Sequence, residues 1–113
     1  LTELYSYKKY VKYRIKRPLP SYRQFPCITP NFDNASRRIG KGFTAFVGST
    51  PKLYGKWLKS VFDKFKPYSK EENFIFINAW NEWAEGNHLE PDQKWGRGYL
   101  EETKKVIDEY NKE

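Results

Sequence analysis

At 113 residues, with 38% hydrophobic and 31% charged side chains, the chain suffices for one small domain with a single modest core and is not a disordered segment. Its formal charge of +7 would suit an anionic partner, yet the cations are concentrated in residues 1–70, where sixteen Lys and Arg face three acids, while the last 43 residues hold eleven acids against five cations. A single cysteine excludes an intrachain disulfide, a single histidine argues against a zinc cluster, and no apolar run is long enough to cross a membrane, so neither metal nor cofactor is expected.

Residues 6–16 predict a short helix capped by Ser6, with Tyr7, Tyr10, Val11 and Ile15 along one side. Pro18 and Pro20 stop it. Tyr and Lys/Arg alternate from Tyr5 to Arg23, as in single-strand nucleic-acid binders, but an amphipathic helix with a solvated Lys face explains the same pattern, and no nucleic-acid partner is expected. Phe25–Thr29 reads as a short strand, with Cys27 as a buried small residue. The loop from Pro30 to Thr50 is long enough to suggest function. Its Gly40, Gly42 and Gly48 suit turns, Phe43–Val47 can form a short strand or lid, and the glycines match no phosphate-binding pattern.

Thr50 and Pro51 mark the start of a second helix, whose Leu53, Tyr54, Trp57, Leu58, Val61, Phe62 and Phe65 repeat at helical spacing and face the core. Phe74–Ile77 reads as a buried parallel strand. A last helix from about Tyr99 to Tyr110 would bury Leu100, Thr103, Val106, Ile107 and Tyr110. Alternating helices and strands imply an α/β fold with a parallel sheet. Two principal strands are too few for a complete sheet, and an eightfold barrel takes about 250 residues. The expected architecture is therefore the C-terminal part of a (β/α)8 TIM-type barrel, about two βα units plus a preceding helix. Such a portion would leave an apolar sheet edge exposed and be completed by a missing N-terminal part.

Beyond the Phe74–Ile77 strand the polarity changes. Asn78, Asn81, Glu82, Glu85, Asn87, His88 and Glu90 crowd together with Trp80 and Trp83, at the strand end where α/β architectures place ligands. Glu82 and Glu85 lie three apart, which puts both on one side of a helical turn. Paired carboxylates beside indoles suit glycoside chemistry, since one can protonate the leaving oxygen while the other assists attack, and Trp stacks on sugar faces. Trp83 is expected at the site and Trp80 in the core, because alternate residues leaving a strand face opposite sides. Asn78, Asn81, Glu90 and His88 are candidates for binding sugar hydroxyls, although Asn at strand ends and lone His residues also serve structure. Asp33, Asn34 and Arg37 follow the earlier strand and open toward the same end. The carboxylates do not have the spacing of a calcium loop.

INAWNEWAEGNHLEPDQKWGRGYLE resembles the C-terminal signature of the WbsX-like family of bacterial surface-polysaccharide glycosyltransferases. FPCITPNFDNASRR and GSTPKLYGKWLKSVF resemble it in the same order, so the resemblance covers roughly residues 5–112. That family is similar to glycoside hydrolase family ninety-nine, the endo-α-mannosidases. The resemblance implies the barrel, a glycan substrate and a cytoplasmic or membrane-peripheral protein. It implies Glu82 as the base that deprotonates the sugar 2-hydroxyl and Glu85 as acid/base at the glycosidic oxygen. Ala84 and Asn87 stand where the hydrolases resemble His and Thr, which leaves mannoside specificity and transfer versus hydrolysis open. A non-catalytic glycan-binding module is the alternative.

Overall fold

The computed structural model describes residues 1–112. In chain order the elements are β1 (Glu3–Ser6), α1 (Tyr7–Lys16), β2 (Cys27–Ile28), β3 (Thr44–Val47), α2 (Pro51–Lys64), β4 (Phe76–Ile77), β5 (Asn81–Glu82), β6 (Asn87–His88) and α3 (Gly98–Asn111). β1 pairs with β3 and β2 with β4, both parallel, whereas β5 and β6 form an antiparallel hairpin. Short 3-10 turns at Ala35–Arg37 and Trp83–Glu85 shape the loops.

The helices start where local chemistry dictates. Ser6 accepts a hydrogen bond from the Lys9 amide and Thr50 one from the Leu53 amide, while Pro51 fills a first-turn position that needs no donor. α2 is the centre of the core. Its Tyr54, Trp57, Leu58 and Val61 are buried between Tyr7 and Val11 of α1 and Tyr99 and Val106 of α3, with Ile28 and Leu89 closing the ends. Two buried phenols tie elements together: the Tyr7 hydroxyl donates to the Thr29 carbonyl (2.8 Å), and Tyr54 meets Thr103 Oγ1 (2.7 Å). Burial pushes the Tyr54 phenol up to about 12, with the Thr103 bond pulling the other way, so it stays neutral.

The end of α1 has a cap that no local pattern reveals. Lys64 Nζ, at the last turn of α2, donates to the carbonyls of Arg14 (3.3 Å), Ile15 and Arg17 (2.9 Å). A cation there satisfies orphan acceptors and opposes the negative end of the helix dipole. Desolvation, reinforced by Arg14, lowers the Lys64 ammonium below its ordinary value, which limits the gain. Lys64→Met is expected to cost about 1–2 kcal/mol, read as a lower urea midpoint. A midpoint equal to that of Lys66→Met, at an exposed position, would show that the capping contributes nothing.

Several expectations are corrected. The Phe25–Thr29 strand shortens to two residues, and Cys27 is exposed rather than buried, because strand side chains alternate and Ile28 takes the inward face. The Phe74–Ile77 strand is parallel but only two residues long and is not buried, with Phe74 and Phe76 half-exposed. Among the described residues only β2 pairs with it, and those rings cover each other (centroids 6.1 Å apart) and pack edge-on against Phe25 instead of entering a core. Ile107 and Tyr110 are likewise exposed, since α3 buries a narrow stripe, although Tyr110 still meets Phe62 edge-to-face at 5.2 Å. β1 was not anticipated; every residue of it is exposed, so it carries no hydrophobic periodicity.

Candidate active-site edge

Just past β4 the chain turns through Asn78 and Ala79, joined by a cis peptide, into the β5–β6 hairpin, where Asn81 pairs with His88 and Glu82 with Asn87. The hairpin encloses the Trp83–Glu85 turn, which ends at Gly86 with φ +57°. The left-handed backbone favours glycine there, and a Cβ would also lie a tight 3.1 Å from that of Asp33.

That approach of Asp33 belongs to a wider seam between the loop after β2 and the hairpin. The Asp33 amide donates to the Glu85 carbonyl (2.7 Å), and Ser36 Oγ donates to the Ala84 carbonyl (2.9 Å). Asp33 Oδ1 accepts from the Ala35 amide and Asn34 Oδ1 from the Thr44 amide, so both side chains organise the loop. The loop delivers Arg37 onto the two carboxylates. Its Nη2 donates to Glu82 Oε1 at 3.0 Å and its Nη1 stands 3.5 Å from Glu85 Oε2. Glu82 ends β5 and Glu85 closes the 3-10 turn that follows, so the expected helical turn is only partly formed, yet both acids face one guanidinium.

Beside them stands a second unit. The Trp83 indole lies flat on the His88 imidazole, ring centroids 3.7 Å apart and planes 15° off parallel, and Trp83 Nε1 donates to Glu90 Oε1 at 2.9 Å. His88 Nδ1 is 3.1 Å from the Glu90 carbonyl, and its Nε2 is 3.9 Å from Asp92 Oδ2. The indole, stacked on His88 and bonded to Glu90, is held in orientation while remaining half-exposed. His88 and Glu90 therefore hold the tryptophan. Trp80, expected in the core, is half-exposed, and its carbonyl receives the amides of Leu89 and Glu90. The two-residue strand ends before Trp80, so strand alternation does not govern its direction.

Asn78 and Asn81 are exposed, and their side chains join neither unit by a hydrogen bond among the described residues. Asn87 lies beneath the hairpin instead of lining it. It is fully buried, its Oδ1 is 2.9 Å from Thr29 Oγ1, and its Nδ2 has no protein partner among the described residues. The part played by Ser36, Gly86 and Asn87 could not be read from the sequence, whose only signal was a glycine and an amide after the Glu pair. Among the described residues no group of three His, Cys, Asp or Glu is placed to hold a metal ion. No helix there is long and apolar enough to cross a membrane. A groove of about 840 Å³ between α2 and α3, lined by Gly55, Lys56, Glu102 and Val106, does not include the carboxylates, which occupy an open edge.

The edge thus gathers two carboxylates on one guanidinium beside a half-exposed indole. The chain belongs to the family described as Glycosyltransferase WbsX, which matches residues 1–103. It is similar to two proteins named WxcX, themselves uncharacterized, from two strains of Xanthomonas campestris pv. campestris. Identity is 34% over 106 residues for one, covering 93% of this chain, and 39% over 93 residues for the other, covering 81%. The chain spans 15% and 13% of the length of those relatives. No solved structure matches it.

Proposed function

We propose that this chain supplies the acid/base edge of a carbohydrate-active enzyme that acts on glycosidic bonds in bacterial surface-polysaccharide synthesis or processing. The observation that carries the reading is the gathering of Glu82 and Glu85 on Arg37, next to the half-exposed Trp83 indole. Glu82, which takes the shorter ionic hydrogen bond, is the base that removes the proton of the sugar 2-hydroxyl. The freed oxygen attacks the anomeric carbon while Glu85 delivers a proton to the departing glycosidic oxygen. Glu85, now ionised, then takes the proton of the incoming hydroxyl as its oxygen attacks the anomeric carbon; the bond from that carbon to the 2-oxygen breaks, and Glu82 returns its proton to the 2-oxygen. Water as that hydroxyl gives hydrolysis, and a second sugar gives transfer.

The parallel β2–β4 pair, with α2 and α3 in the chain between and after the strands, fits the C-terminal part of a (β/α)8 barrel. The full-length protein would contribute the other units and the rest of the sugar site, in keeping with the length of the WxcX relatives.

Glu82→Gln in the full-length protein tests the reading. Turnover is expected to fall by about 10²- to 10⁴-fold while glycan binding, measured by titration calorimetry, persists. Unchanged product formation would sink the catalytic assignment and favour a non-catalytic glycan-binding module that keeps the Trp83 platform.

A further inference from the structure

We infer that Arg37 is a positioning residue that sets the spacing and direction of Glu82 and Glu85, and that its side chain is not a contact for sugar. The inference rests on the acid/base reading of that pair and names the device that makes the pair usable.

Glu82 ends β5 and Glu85 closes the 3-10 turn that follows it; once Glu85 has given up its proton, the two anionic side chains repel each other and splay unless a cation stands between them. Arg37 uses both terminal nitrogens for this purpose, Nη2 on Glu82 at 3.0 Å and Nη1 on Glu85 at 3.5 Å. A guanidinium is a rigid planar fork, so holding both nitrogens fixes the relative placement of the two carboxylates in a way that a single ammonium cannot. The arginine is itself held in register. Ser36 bonds the Ala84 carbonyl, the Asp33 amide bonds the Glu85 carbonyl, and Asp33 packs against Gly86, so the turn that carries Arg37 is fastened to the turn that carries the acids. Each terminal nitrogen faces a carboxylate, Nη2 through a hydrogen bond and Nη1 through an ion pair.

The three side chains are 51%, 37% and 31% exposed. An ion pair so open to solvent adds little to folding stability. Its value is geometric, and the protein is expected to fold without it.

The test uses the full-length protein and a panel of nitrophenyl glycosides, with nitrophenolate release as the readout. Arg37→Ala is expected to lower kcat by about 10²-fold, the penalty of a misplacement near 1 Å, with KM moving less than about threefold. Arg37→Lys should recover only part of the loss, because it cannot fork. Added guanidinium chloride should restore part of the Arg37→Ala rate and none of the Glu82→Gln rate. A second readout does not need turnover: amide exchange across residues 82–86 should be faster in Arg37→Ala. A raised KM at unchanged kcat would put Arg37 on the sugar and overturn the inference, as would wild-type kinetics with unchanged exchange. If Glu82→Gln is inactive while Arg37→Ala is fully active, positioning fails alone. If Glu82→Gln turns over at the wild-type rate, or wild type releases nitrophenolate from none of the panel, the acid/base reading fails and takes the inference with it.

Discussion

Glu85→Gln in the full-length protein is expected to slow the cleavage of glycosides with poor leaving groups by about 10²- to 10⁴-fold, while nitrophenyl glycosides lose far less. The difference follows from the proposed role. A sugar alkoxide cannot depart without a proton, and an amide in place of the carboxyl cannot supply one, whereas nitrophenolate is stable enough to leave unprotonated. Glu82→Gln should show no such distinction, because the base acts on the sugar and not on the leaving group. The substitution is conservative in shape, and the backbone tie at this position, from the Asp33 amide to the Glu85 carbonyl, does not involve the side chain. Unfolding should therefore be unaffected. Equal losses on both leaving-group classes would remove Glu85 from the acid role.

The second large effect concerns the core. Trp57→Ala is expected to destabilise the domain by about 3–5 kcal/mol, the usual range for deleting a buried large aromatic ring. Trp57 is 2% exposed. It is met edge-on by Tyr10 at 5.5 Å and Tyr7 at 6.3 Å, and the Arg14 guanidinium lies 5.9 Å from its ring. Those partners come from α1, so the substitution opens a cavity at the α1–α2 contact and frees the helix that carries the Tyr7 bond to Thr29. Small domains hold only about 5–15 kcal/mol in total, so the variant would be marginal. Urea unfolding followed by far-UV circular dichroism measures the loss, with Ile107→Ala, at a position 40% exposed, as a reference expected to change little. A midpoint shift for Trp57→Ala no larger than that reference would show that α1 does not depend on α2 for its place.

The three helices were legible because their signals are local. Ser6 and Thr50 cap within one turn, and the Tyr54, Trp57, Leu58, Val61 stripe repeats at the helix period, so side-chain chemistry and periodicity agree at each step. Strands were less legible. β2 and β4 are two residues each, and whether Cys27 or Phe76 faces a core depends on which surfaces are covered, a property of distant packing. The Phe74–Ile77 run has buried-strand composition and yet leaves Phe74 and Phe76 half-exposed for that reason.

The candidate site divides along the same line. By itself the sequence singled out Glu82, Glu85 and Trp83 as neighbours after a strand, although a spacing of three alone is a weak signal. Only the tertiary structure decided how they are held. Arg37 lies 45 residues before Glu82, and its approach depends on backbone bonds between two loops that no local propensity encodes. Within the hairpin, His88 and Glu90 meet the Trp83 indole from only five and seven residues away, contacts that the hairpin pairing sets. Local spacing dictates which groups share a turn; contacts between loops dictate which of their polar atoms remain free to meet a substrate.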